Sequence, residues 1–209
     1  MVGMTATAIP SRRTAPRSTR DLLRAAVRPT PGAPRWAVVC AHLVPLLVLP
    51  SGLWRLVLGA GVPVGFTGDL AELYAAPGWI TPYVVLLTLA SELAAMTSFA
   101  LVARWGEVVP AWVPRWRGRI LPRTLVAGTA AAGTVALTLV AVPTVALWNG
   151  PENMGDPDAP QGFAGLVMTA CYAPMLAWPP LLAALTVAFW RRRSPAPQDR
   201  RASGRQHLG

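Results

Sequence analysis

Eighteen of the nineteen basic side chains, all of them arginine, fall in three blocks, and two long apolar runs separate each block from the next. The blocks are Arg12 to Arg35, Arg104 to Arg123 and Arg191 to Arg205; Arg55 stands alone inside the first apolar run. The stretch inside each pair of runs, 61–79 and 149–162, has no arginine and carries Asp69, Glu72, Glu152, Asp156 and Asp158 instead. A helix needs about 20 apolar residues to cross a bilayer core of about 30 Å. Loops retained on the cytoplasmic side collect Lys and Arg, and translocated loops do not. The alternation therefore predicts an all-α, polytopic membrane protein: four transmembrane helices in an N-in/C-in bundle, with both termini cytoplasmic and the chain in the cell inner (plasma) membrane. The expected spans are about 36–60, 80–103, 124–148 and 163–190, within a transmembrane domain 36–193. The basic segments 1–35 and 194–209 are expected to be cytoplasmic and mostly disordered.

Composition agrees with this division. Over 209 residues, 53% hydrophobic and 13% charged, four spans and their loops leave no room for a separate soluble domain. A formal charge of +10 is also what a nucleic-acid-binding chain shows. Here the arginines flank apolar runs, so the expected partner is the lipid bilayer, through anionic headgroups at its inner face, and no nucleic acid. Residues 1–35 lack the apolar stretch of a secretory signal.

Tryptophan placement is a second, partly independent signal. Trp54, Trp79 and Trp148 fall near the expected outer ends of the spans, and Trp36, Trp105, Trp112, Trp116 and Trp190 near the inner ends. That is the interfacial aromatic belt. Trp178 alone falls inside a span. In the third run Gly128, Ala132 and Ala136 are spaced by four, with Thr129 and Gly133 as a second such pair; small residues let helices approach closely. Packing within the bundle is the expected use, and a homo-oligomer the other. Pro45 and Pro50 in the first run, and Pro174, Pro179 and Pro180 in the fourth, remove backbone donors and tend to kink a helix.

Few groups carry chemistry. Glu92 lies mid-way along the second run, where a carboxylate costs about 3 kcal/mol to insert. Its apolar neighbours still carry the helix in, so Glu92 is expected to face protein or water. Arg55 and His42, both on the first run, are its conceivable partners, and the longer reach of Arg55 makes Arg55–Glu92 the expected interhelical pair. These three form a candidate intramembrane polar site, for an ion or proton or simply to lock the first hairpin. No His/Cys cluster, HExxH motif, GxSxG elbow or phosphate-binding glycine loop occurs, so the sequence indicates no catalytic residues, no metal and no cofactors. Cys40 and Cys171 lie in different runs near opposite faces, which argues against a disulfide.

The loop between the second and third runs reads Trp105-Gly106-Glu107-Val108-Val109-Pro110-Ala111-Trp112-Val113-Pro114, then Arg115-Trp116-Arg117-Gly118-Arg119. With Leu49-Pro50-Ser51-Gly52-Leu53-Trp54-Arg55 it resembles a group of small actinobacterial four-helix integral membrane proteins. The likeness covers about residues 36–150, and the W-G-x-x-V-P-x-W-x-P loop is its most specific part. The resemblance implies a four-helix membrane fold and implies no activity, cofactor or catalytic residue. Trp105, Trp112, Arg115, Trp116, Arg117 and Arg119 are candidates for a lipid belt or a docking surface for a membrane partner protein. The sequence thus points to a non-enzymatic integral membrane protein without specifying its role. The alternative is a small transporter or channel-like subunit built around Glu92 and Arg55.

Overall fold

The computed structural model describes residues 28–109, 115 and 118–194. Residues 1–27 of the expected tail 1–35, residues 195–209 of the expected tail 194–209, and Trp112, Trp116 and Arg117 lie outside the described residues. The fold is all-helical. Helix α1 is Arg35–Gly59, α2 the short Gly68–Leu73, α3 Ile80–Met96, α4 Arg123–Ala146, α5 Gly162–Tyr172 and α6 Trp178–Arg192. A 3-10 segment Thr97–Leu101 extends α3, and another, Ala173–Ala177, joins α5 to α6. Four of the resulting rods, Arg35–Gly59, Ile80–Leu101, Arg123–Ala146 and Gly162–Arg192, are long and apolar enough to cross a membrane. No strand occurs among the described residues, only isolated antiparallel bridges of Pro29 with Ala103 and Val108 with Ile120.

Proline explains the break in the fourth rod. Pro174 lies in the 3-10 segment, and Pro179 and Pro180 occupy the first turn of α6, where a missing N–H leaves no helical bond unmade. In the first rod the outcome differs. The α-helix runs unbroken through Pro45 and Pro50, with Pro45 on its buried face, so these prolines do not interrupt it.

Helix α1 is the hub: it packs most extensively on α3 and also lies against both halves of the fourth rod. At one end Ala41, Val44 and Val48 pack among Leu101, Trp178, Leu185 and Phe189. At the other, Trp54 and Leu58 pack with Ile80 and Val84. Helix α4 leans mainly on α6, and Ala127 is its one buried residue.

This corrects the expectation for the small-residue stripe. Gly128, Ala132 and Ala136 are exposed, and a Cβ at Gly128 would meet nothing within 4 Å. The face that packs is the adjacent one, through Val126, Ala127, Ala130 and Leu137, and a Cβ on Gly133 would touch Leu182 at 3.7 Å. Spacing by four marks a face of a helix; it does not say which neighbour, if any, that face meets.

Described residues of all three arginine blocks meet at one end. Thr30 donates its N–H to the Val102 carbonyl at 2.9 Å, beside the Pro29–Ala103 bridge. Arg192 pairs with Glu107 at 2.7 Å. Arg193 donates to the Leu121 carbonyl at 3.0 Å, and Arg123 to the Arg193 carbonyl at 3.1 Å. At the opposite end Asp158 joins the two acidic loops. Its carboxylate accepts from the Thr67 hydroxyl at 3.3 Å and the Asp69 N–H at 3.0 Å, and its carbonyl from the Thr67 N–H at 2.9 Å.

Candidate functional site: a buried polar cluster between the first two long helices

Arg55 is 6% exposed, four residues before α1 ends at Gly59 and so about 6 Å from that end at 1.5 Å per residue. Its Nε donates to Thr88 Oγ1 at 3.3 Å and one Nη to Ser91 Oγ at 3.0 Å. Thr88 and Ser91 are one turn apart on α3, so their hydroxyls share a face. Ser91 in turn donates to the Thr88 carbonyl at 2.9 Å. The other side of the guanidinium lies 5.9 Å from the ring centre of Tyr172, within cation–π range. Arg55 therefore ties α1 to α3 and rests against the end of α5. Arginine suits this place because it offers five N–H donors in a flat fork whose faces can stack.

Aromatic rings cover the cluster on the side of the acidic end. Trp54 meets Tyr172 edge-on at 5.7 Å and Phe66 at 6.1 Å. Phe66 continues to Tyr74 at 4.8 Å. Trp54, expected as a belt residue, is 8% exposed, so it is a core residue here. Its indole packs against Tyr172 and Phe66 and does not face outward.

Glu92 lies next to Ser91, about 18 Å along α3 from Ile80 by helical rise. It does not form the expected ion pair with Arg55, whose hydrogen bonds go to Thr88 and Ser91. Its carboxylate instead lies across from Gly52, one turn below Arg55 on α1, where a Cβ would come within 3.7 Å of Oε1. That oxygen is buried and accepts no hydrogen bond from any described residue. Gly52 makes this approach possible: an added Cβ would also meet Thr88 Cγ2 at 3.0 Å.

His42 stands apart from the cluster. It is thirteen residues from Arg55 on α1, about 20 Å by helical rise. Its Nδ1–H donates to the Val38 carbonyl at 2.7 Å, and its ring meets Phe99 edge-on at 4.8 Å. The structure therefore brings together Arg55, Thr88, Ser91 and Tyr172, with Glu92 adjoining, and leaves His42 out. Thr88, Ser91 and Tyr172 were missed in the sequence. The available signal was the Thr88-x-x-Ser91-Glu92 spacing, which places two hydroxyls and a carboxylate within one turn of an apolar helix.

At the arginine-rich end the candidate belt is only partly described. Trp105 is half-buried, and Arg115 and Arg119 are exposed. The backbone of Val109 donates to the Arg119 carbonyl at 2.9 Å, which closes the loop on itself. No group of three His, Cys, Asp or Glu side chains able to hold a metal occurs among the described residues. Comparison with protein-family models, curated proteins and solved structures found no match to the chain.

Proposed function

We propose that this chain is a non-enzymatic integral membrane protein that works as a small transporter or channel-like subunit, with Arg55 and Glu92 as its intramembrane polar site. In this reading the arginine-rich end and both termini are cytoplasmic, in the cell inner membrane. The resemblance to small four-helix actinobacterial membrane proteins belongs to the same proposal. The observation that carries it is Glu92 Oε1, buried and bonded to no described residue, across from Gly52 and so one turn along α1 from the buried Arg55. A polar atom left in that state costs about 1–3 kcal/mol, and ionisable groups within a span ordinarily mark a pathway for ions or protons. Arg55 keeps donors beyond the two it uses, so the two side chains, not bonded to each other, offer an acceptor and donors to a small ion or a proton.

The test is flux in proteoliposomes. Wild-type protein should pass protons or a small ion, and Glu92→Gln should abolish the flux while the protein still folds and inserts. A wild-type protein that passes neither sinks the transport reading.

A second reading rests on a different observation, the bonds from Arg55 to Thr88 and Ser91. There the cluster locks the first hairpin, and the Arg/Trp surface meets lipid headgroups or a membrane partner protein. In that case Arg55→Met weakens the fold, and Glu92→Gln has no effect on any flux.

A further inference from the structure

Helix α6 carries Val187 and Arg191 one turn apart on a ridge with an apolar groove on each side. One groove, about 460 Å³, runs between α6 and the first half of α4, with Thr124, Gly128 and Ala131 as its far wall. The other, about 560 Å³, runs between α6 and the start of α1, with Gly32, Pro34 and Trp36 as its far wall. Val187 and Arg191 line both. The open space beside Gly128, where a Cβ would touch nothing, belongs to the first groove.

The charges at this end are unequally used. Arg192 is neutralised by Glu107 at 2.7 Å. Arg193 donates to the Leu121 carbonyl, and Arg123 lies 4.8 Å from the ring centre of Trp190 while donating to Arg193. The Arg191 side chain is exposed and makes no hydrogen bond or ion pair with a described residue. Glu107 is the one acid described at this end, and Arg192 already occupies it.

We propose that this end of the bundle holds an anionic diacyl phospholipid, its phosphate on Arg191 and one acyl chain in each groove beside Val187. Arg192 also lines the second groove but is held by Glu107; Arg191, which lines both apolar channels, matches the geometry of a headgroup from which two chains descend. A soluble anion would leave the grooves unused. A helix from a second copy would fill one groove and leave the charge uncompensated. The inference rests on the membrane insertion proposed above and is independent of the Arg55–Glu92 site.

The experiment is native mass spectrometry of the full chain released from neutral detergent, loaded with phosphatidylglycerol, phosphatidylcholine or inorganic phosphate. Wild-type protein should retain phosphatidylglycerol in preference to phosphatidylcholine. Arg191→Gln should lower phosphatidylglycerol retention about five-fold, the effect of one basic residue at a lipid surface. Arg104→Gln removes the same charge from the same end but lines neither groove, so retention should hold. Val187→Trp should expel both lipids by filling the grooves; Val187 is 49% exposed, so the change leaves the core alone. Equal losses from Arg191→Gln and Arg104→Gln would mean diffuse surface charge and overturn the proposal. So would full displacement of lipid by inorganic phosphate, or wild-type protein that is dimeric and lipid-free. A chain found in the soluble fraction after lysis would instead remove membrane insertion itself.

Discussion

Arg192 on the last turn of α6 donates to Glu107 Oε1 at 2.7 Å, with only 12% and 20% of the two side chains exposed. This pair fastens the fourth rod to the loop between α3 and α4, and Arg192 also reaches the Leu101 carbonyl at 3.4 Å. Removing one partner leaves a largely buried charge unanswered. Glu107→Ala should therefore destabilise the protein by about 1–3 kcal/mol, seen as a lower midpoint of thermal unfolding in detergent. Replacing both, Arg192→Met with Glu107→Leu, should cost less than the sum of the two single changes, because no lone charge is left. Additive losses would show that the two side chains are not coupled.

The bonds from Arg55 to Thr88 and Ser91 predict a similar coupling deeper in the bundle. Ser91→Ala removes one acceptor of a charged donor and should cost about 1.5–3 kcal/mol. In an Arg55→Met background the same change should cost much less, since its partner is gone. A double-mutant cycle on unfolding midpoints measures the difference. A coupling energy near zero would mean that the guanidinium does not hold α1 to α3.

Two glycines predict opposite results for the same substitution. A Cβ at Gly106 would collide with the backbone carbonyl of Ala100, and Gly106 is buried in the turn that follows the second rod. Since the obstacle is backbone, Gly106→Ala should cost several kcal/mol, of the order seen for overpacked cores, or prevent accumulation in the membrane fraction. Gly128→Ala meets nothing within 4 Å and adds a better helix former, so the unfolding midpoint should hold or rise. A marked loss at Gly128 would show that this face is covered, by protein or by a lipid chain.

What the sequence made legible, and what it did not, follows from the physics of each signal. Apolar run length and arginine placement act one residue at a time, so the four long helices were readable from the letters. Proline marked the break near Pro174 but also Pro45 and Pro50, where the helix runs on unbroken. The rotation of each helix about its axis depends on which neighbour it meets. For that reason Gly128, Ala132 and Ala136 looked like an internal seam and are exposed. Trp54 looked like a belt residue and is core, because the loop residue Phe66 folds over it. Arg55 and Glu92 were readable as unusual, but their partners were not. A guanidinium opposite two hydroxyls and a carboxylate can bond to any of them, and the rotation and depth of the two helices, which single residues do not set, bring Thr88 and Ser91 to it. Asp158 as the knot between the acidic loops depends on a contact across 91 residues of chain, which no local spacing encodes.

The separation of the two ends yields the last prediction, which concerns orientation. Arg28, Arg104, Arg123, Arg192 and Arg193 all belong to segments knitted together at one end. Thr67, Asp69 and Asp158 are bonded together at the other. The four rods therefore present a basic end and an acidic end, and the energetics of translocation favour keeping the basic one cytoplasmic. In a chain with Cys40 and Cys171 replaced by Ser, a single cysteine at exposed Glu152 should react with a membrane-impermeant maleimide in intact cells. A single cysteine at exposed Arg115 should react only after the membrane is opened. The reverse pattern would invert the proposed topology. It would also move the Arg191 grooves to the outer leaflet, where the lipid test would have to be repeated with the lipids of that side. Labelling of both sites in intact cells would mean that the rods do not span at all. The ends are each held by their own hydrogen bonds, so neither substitution disturbs the element that decides the result.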